Sequence, residues 1–296
     1  MSFVLAFQST EGVSGRCARI LTRAGAPGPR DRAAFEGARR RRDTPARYTR
    51  AGVFFRNPAV AGLASPMCGR YTHLFTWEEL HRLSTLTSPP LEIPKSWNVA
   101  PTQSAPIIRM VGPTDSGREL AFLKWGLVPF WAADEKIGNS LINARGETVA
   151  EKPAFRAAFK ARRCIVPVSG FYEWKRLGEK SMGGKQPHYI RAAADEPLLL
   201  AGLWERWKPK DQGLFDTPPL ETFTIITTTP NEMMAELHDR MPVIIAPEHQ
   251  TPWLTGSIED AKSLIQPYPA ELMMHYPVST RVNSPRNNEA ALVDRV

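Results

Sequence analysis

The feature that most limits the fold of this chain is a succession of short apolar runs, each cut off by proline or glycine. They read "APIIRMV", "LAFLKWGLVPFW", "RRCIVPVSGFYEW", "PHYIRAA", "PLLLAGLWERW", "TFTIITTT" and "MPVIIAP". Runs of this length, rich in Ile, Val, Phe, Tyr and Trp and bounded by turn formers, are strands. Their prolines place many of them as edge or bent strands. No helical pattern separates them at the spacing a βαβ unit needs. Helical periodicity is confined to a few places. In "FTWEELHRLSTL", Thr76 stands three residues before Glu79 as in a capping box, and Leu80, Leu83 and Leu86 share a face. "EKPAFRAAFKA" and "SIEDAKSLIQ" carry helical turns, and "LGEKSMGGKQ" is a loop between strands. The fold class expected is α+β: a single domain over residues 67–290, with a mostly antiparallel, barrel-like sheet and flanking helices.

Residues 1–66 do not fit that domain. They hold 12 Arg and no Lys against 4 acidic residues, so the whole formal net charge of +8 sits there and the rest of the chain is balanced. Bulk basicity therefore says nothing about the folded part, where any nucleic-acid site has to be a local patch. Rich in Arg, Ala, Gly and Pro and without periodicity, this leader is expected to be disordered. Two readings of it stay open. It is a basic arm that grips phosphates, or its start has been assigned too far upstream, which its arginine-only basicity favours. No apolar run approaches the roughly 20 residues of a membrane-spanning helix, and the N-terminus lacks the basic region of a secretory signal. Cys17, Cys68 and Cys164 form no CxxC and no even disulfide framework, which fits a reducing cytoplasm. With no HExxH, no P-loop and no clustered Cys/His set, neither a metal nor a cofactor is expected.

Four polar residues stand in or beside the apolar runs. Asn143 lies in "SLINARGETV" with Arg145 and Glu147, Glu173 in "VSGFYEWK" between Tyr172 and Trp174, and His238 in "MMAELHDRMPVII". Cys68 follows Met67 at the head of the domain. Singly, each has an ordinary explanation as a turn residue, a solvent-facing strand residue, a loop group or an unremarkable thiol. Cys164 reads as core.

Taken in order, "MCGRY", "WGLVPFW", "NARGET", "RRCIVPVSGFYEW" and "LHDRMPVI" resemble the SRAP family (SOS response-associated peptidase domain) over roughly residues 67–285. The resemblance implies a single α+β domain, monomeric and cytoplasmic, with a groove for single-stranded DNA and no membrane. It implies recognition of abasic sites during DNA repair and covalent attachment through an N-terminal cysteine, which would tie the protein to the nucleoid. The peptidase name implies self-removal of residues ahead of that cysteine. Carried over, Cys68 is the crosslinking nucleophile, with Asn143, Glu173 and His238 as the other catalytic residues. Gly69, Arg70, Trp131, Arg145 and Trp174 fall where the family contacts DNA, and Thr227 is a looser match. Arg156, Arg162 and Arg163 are further candidates for phosphates. The 66 residues ahead of Met67 depart from the family pattern.

The residue types suit the chemistry. A terminal α-amine titrates near 7.7–8.0 and is partly unprotonated at neutral pH. It can condense with the aldehyde of an opened abasic sugar, after which the thiol on the same residue closes a thiazolidine. Glu173, desolvated by its aromatic neighbours, is expected to have a raised pKa and to shuttle protons. His238 can protonate the sugar oxygen, and Asn143 can orient a hydroxyl without competing for the proton. Strand cleavage by β-elimination is a minor lyase side reaction. For Trp125 and Trp131, core packing and DNA stacking both stay open. Two other functions compete: a cysteine peptidase acting in trans through Cys68 and His238, and a noncatalytic module for single-stranded DNA.

Overall fold

The computed structural model describes residues 69–112, 117–178, 184–209 and 218–296; the leader, Cys68 and the middle of the 177–186 loop lie outside them. The apolar runs form strands. Five of them close a barrel: β3 (Ser104–Met110), β4 (Arg118–Trp125), β6 (Arg163–Val168), β9 (Leu198–Trp207) and β10 (Leu220–Thr228). They are ordered β10-β4-β3-β6-β9, and a β9–β10 pairing joins the ends. β5 (Asn143–Arg145) and β11 (Met241–Pro242) add to β10. The second sheet runs β12-β8-β7-β1-β2, from β12 (Met273–Pro277), β8 (Lys185–Ala192), β7 (Gly170–Arg176), β1 (Tyr71–His73) and β2 (Ser96–Val99). Pairings between these strands are antiparallel except those of β10 with β4 and β5.

β3, β6, β9 and β10 are buried on both faces over most of their length, which is why they read as continuous apolar runs, whereas β4 alternates and leaves Phe122 exposed. Along β6, Cys164, Val166 and Val168 enter a core shared with Tyr71, Phe171 and Ile190 of the second sheet, while Ile165 enters another with Leu80, Phe159 and Trp253. Trp125 belongs to the first core: it is fully buried, stacks on Phe223 and donates from Nε1 to the Ile142 carbonyl at 2.9 Å. The prolines do not all mark edges. Ile108 pairs with Ile165 across β3 and β6, a register that sets Pro106 opposite Pro167. Two residues without N–H donors thus meet inside the barrel, at a stretch of seam where neither strand has a donor to offer.

α1 (Trp77–Ser84) begins at the expected capping box, with Glu79 N to Thr76 Oγ1 at 3.2 Å and Thr76 N to Glu79 Oε2 at 2.7 Å. It ends sooner than expected. Thr85 turns left-handed (φ 51°), so Leu86 is buried from beyond the helix, bridged to Arg118. α2 (Arg156–Ala161), α3 (Glu232–Ala235), α4 (Gln250–Thr255) and α5 (Ile258–Ser263) complete the helices used below. Packing also continues past residue 290, because Leu292 is fully buried with Tyr172, Tyr189, Val278 and Val282.

The step from β6 to β7 carries the chain from the barrel to the second sheet with only Ser169 between them. Gly170 permits it: a Cβ there would stand 2.5 Å from Tyr189 and 2.6 Å from the Ile190 carbonyl. This crossing places Glu173 at the base of a cleft.

Candidate functional site

Glu173 sits on β7, opposite His188 of β8, and is 3% exposed. Strand alternation turns Tyr172 away from it, while Trp174 reaches the rim of the same cleft. Tyr172 Oη donates to the Trp97 carbonyl at 2.8 Å, and Trp174 Nε1 donates to Asn283 Oδ1 at 2.7 Å. Of the two aromatic neighbours expected to cover Glu173, Tyr172 does not and Trp174 shares its cleft. Glu173 is buried in a cleft of about 500 Å³ that it lines with Ala235, Leu237, His238 and Trp174.

His238 enters that cleft from the segment after α3, held by a hydrogen bond from its own N–H to the Met234 carbonyl at 2.8 Å. Its Nε2 lies 3.6 Å from Glu173 Oε1, an ion-pair distance too long for a direct hydrogen bond. Its Nδ1 lies 2.8 Å from Asp239 Oδ1 and 3.2 Å from Arg240 N. One nitrogen cannot serve both at once. With the proton on Nε2, facing Glu173, the ring accepts from the Arg240 N–H; when doubly protonated it donates from Nδ1 to Asp239.

β1 runs beside β7 and leads toward Glu173. Tyr71 pairs with Phe171, and the Tyr172 N–H donates to the Arg70 carbonyl at 2.9 Å, continuing the register one step toward the N-terminus. The next step sets Gly69 opposite Glu173. The Arg70 guanidinium donates to Asn98 Oδ1 (2.9 Å) and to the Val282 (2.7 Å) and Asn283 (3.1 Å) carbonyls. Burial lowers its pKa from the ordinary arginine value, leaving a cation. Asn98 in turn donates to the Val282, Ser284 and Asn287 carbonyls. The C-terminal segment is thereby clasped against β1 and β2.

A second depression, about 420 Å³, is lined by Trp131, Asn143, Arg145, Lys152 and Phe155. β5 presents Asn143 and Arg145 on one face while Ala144 between them is fully buried. Arg145 is exposed, and Trp131 is 42% exposed with Nε1 donating to the Pro153 carbonyl at 3.3 Å. Trp131 thus offers a face to solvent, unlike Trp125.

Three residues expected to contact DNA are engaged inside the protein. Thr227 is 3% exposed; its hydroxyl donates to the Ala144 carbonyl (3.4 Å) and accepts from Arg240 (3.3 Å), so it braces β5 from beneath. Arg163 is buried and donates to the carbonyls of Trp253, Phe159 and Gly256. Arg162 is ion-paired with the buried Glu205 at 2.6 Å. Arg156, at the start of α2, faces solvent.

Arg240 was not among the expected site residues. It grips Glu147 with both terminal nitrogens and the Thr227 carbonyl at 2.7 Å, and this charge-assisted bonding holds the Glu147 carboxyl below the usual carboxylate range. One side chain so fastens the His238 segment to the turn after Asn143 and Arg145, joining the two depressions. Its signal lay in view within "LHDRMP", but its partner is 93 residues away.

Comparison with known proteins identifies relatives of this chain. The family model described as SOS response associated peptidase (SRAP) matches residues 67–285. The abasic site processing protein YoaM of Bacillus subtilis is 45% identical over 233 residues, covering 77% of this chain and 98% of the relative. The abasic site processing protein HMCES of Xenopus tropicalis is 32% identical over 221 residues, covering 65% of this chain and 64% of the relative. A crystal structure of a protein from Bacteroides thetaiotaomicron superposes with a TM-score of 0.59 at 32% identity, covering 68% of this chain and 85% of that one. Among the described residues no helix is long and apolar enough to cross a membrane.

Proposed function

This chain belongs to the SOS response associated peptidase (SRAP) family, and we propose that it processes abasic sites in single-stranded DNA by attaching itself to them through Cys68. The observation that carries this reading is the buried Glu173 facing His238 across a cleft, with Gly69 opposite Glu173 in the β1–β7 register. Cys68 immediately precedes Gly69 in the chain.

Loss of Met67, or of everything ahead of residue 68, frees the Cys68 α-amine. The family match beginning at residue 67, and a relative covered to 98% while a quarter of this chain stays unmatched, support that boundary. The amine adds to C1 of the ring-opened sugar, and the resulting carbinolamine loses its hydroxyl as water to give an imine. The Cys68 sulfur then forms a bond to the same carbon, its proton passing to the former imine nitrogen. Carbon–nitrogen and carbon–sulfur single bonds are made and one water leaves, with no oxidant consumed. His238 protonates the departing oxygen, and Glu173 relays protons between amine, thiol and hydroxyl. Asn143 orients the sugar. β-Elimination from the imine is the minor lyase path, which ring closure cuts short.

DNA is held as a single strand by a monomer, with Arg145 and Arg70 on phosphates and Trp131 and Trp174 as stacking faces. Stacking is worth about 1–3 kcal/mol per base and accepts any base, as a damage sensor requires. Incubation of protein made from Met67 with a labelled single-stranded oligonucleotide carrying one abasic site is expected to give a product that stays shifted on a denaturing gel. Undamaged oligonucleotide gives none. Arg145→Gln is expected to weaken noncovalent binding and flatten the plot of log affinity against log salt by roughly 0.7, the value for one phosphate contact on a single strand. Absence of the shifted product with the Met67-started protein rejects the crosslinking function.

A further inference from the structure

Outside the cleft, two histidines 87 residues apart meet across neighbouring strands. His188 of β8 and His275 of β12 bring their Nδ1 atoms to 3.0 Å, with ring centroids 5.0 Å apart and ring planes inclined at 56°. The register pairs Pro277 with His188 and Ile190 with His275, so both rings stand on one face of the sheet and their separation is set by two hydrogen-bonded backbones. His188 is 8% exposed. A single proton satisfies this pair, since one ring donates while the other accepts.

We propose that His188 and His275 form a binding site for a divalent transition-metal ion of the zinc, nickel or copper class, bound in place of the shared proton. Imidazole nitrogens ligate zinc at about 2.0–2.1 Å, and two such bonds at the tetrahedral angle put the nitrogens about 3.3 Å apart. The existing separation therefore has to widen only slightly. Metal binding also needs both rings neutral. Burial lowers the pKa of each ring, and the Lys175 charge adds to the effect on both.

The charged groups facing the pair are few. Lys175 of β7 opposes a cation, and Glu236, just past α3, attracts one; they stand 3.8 Å apart in a loose ion pair. Glu236 also acts electrostatically on His275. Glu173 lies opposite His188 in register but is turned to His238. Among the described residues no set of three His, Cys, Asp or Glu side chains is gathered tightly enough to hold an ion alone. The two histidines are thus the protein ligands of a site completed by water, and the nearby negative charge of Glu236 favours a cation there. A bound metal would staple the edge strand β12 to β8. From β12 the chain runs on to Val282 and Asn283, which hold Arg70 and Trp174.

The test is calorimetric titration of the untagged full chain with zinc chloride at pH 7.5. One zinc ion per chain is expected, with His188→Gln and His275→Gln each weakening it by about tenfold or more. Lys175→Gln, at a half-exposed position that leaves both ligands in place, is expected to tighten it several-fold by removing the opposing charge. Zinc should raise the melting temperature of the wild type and not that of either histidine variant. No binding up to millimolar zinc, binding indifferent to both histidine variants, or weaker binding in Lys175→Gln overturns the proposal. None of these readouts depends on abasic DNA, so the metal site and the crosslinking function fail separately.

Discussion

A chain that keeps residues 1–67 attached to Cys68 is expected to form no covalent product with abasic DNA, while the same chain cut ahead of Cys68 forms it fully. An internal cysteine has spent its nitrogen in a peptide bond. The amide is neither basic nor nucleophilic, whereas a free α-amine near pKa 7.7–8.0 is partly unprotonated at neutral pH. A lone thiol still adds to an aldehyde, but only as a reversible hemithioacetal. Amine and thiol on one residue also act within one molecule, an arrangement whose effective concentration can reach about 10⁵ M or more. The expected loss in crosslinking rate is therefore at least about a thousandfold, beyond detection in a gel assay. Noncovalent binding through Arg145 and Trp131 should persist in the uncut chain. Purified protein with the leader left intact, as judged by intact mass before and after the reaction, is the sample to use. Full crosslinking by that sample would reject the role of the amine.

Glu173→Gln carries the second largest effect, a crosslinking rate lower by about 10²–10³, within the usual range for general acid–base catalysis. The substitution keeps size and shape on β7, so the cleft and the strand pairing stay as they are. It removes the ability to accept a proton at a position only 3% exposed, where bulk water is a poor substitute. The His238 ring, 3.6 Å away, loses its carboxylate partner as well. Glu173 and His238 act on the same proton transfers, so a double variant with His238→Gln should be little slower than the worse single one. DNA affinity before reaction should stay within about twofold, because neither residue is assigned to phosphate or base contact. A rate within about threefold of wild type in Glu173→Gln would remove the carboxylate from the mechanism.

How far the site could be read from the amino-acid order depends on the range of the forces involved. The capping box of α1 is local chemistry over three residues and emerged as expected, as did the strands whose apolar runs announce two buried faces. A barrel-like sheet was expected and is present, but that β9 and β10 close it was not legible, because no local pattern marks which strand edges will meet. Pro106 and Pro167 look like strand breakers until the fold sets them against each other. The burial of Glu173 was foreseen for a reason only partly right: alternation along β7 carries Tyr172 to the far face, and Trp174 shares the cleft with the His238 segment. Arg162 and Arg163 look like phosphate ligands by composition, yet their partners, Glu205 and the carbonyls near α4, become visible only in three dimensions. The same holds for Arg240 with Glu147 and for His188 with His275, whose partners lie 93 and 87 residues away.

The most direct measurement is tandem mass spectrometry of the DNA-bound N-terminal peptide, after reaction of the full chain with abasic oligonucleotide and treatment with borohydride. The expected species begins at Cys68, carries the sugar carbon on both its α-nitrogen and its sulfur, has lost one water, and is unchanged by the reductant. An adduct whose Cys68 nitrogen is still acylated by residue 67, or one attached through a lysine and fixed only by reduction, would contradict it.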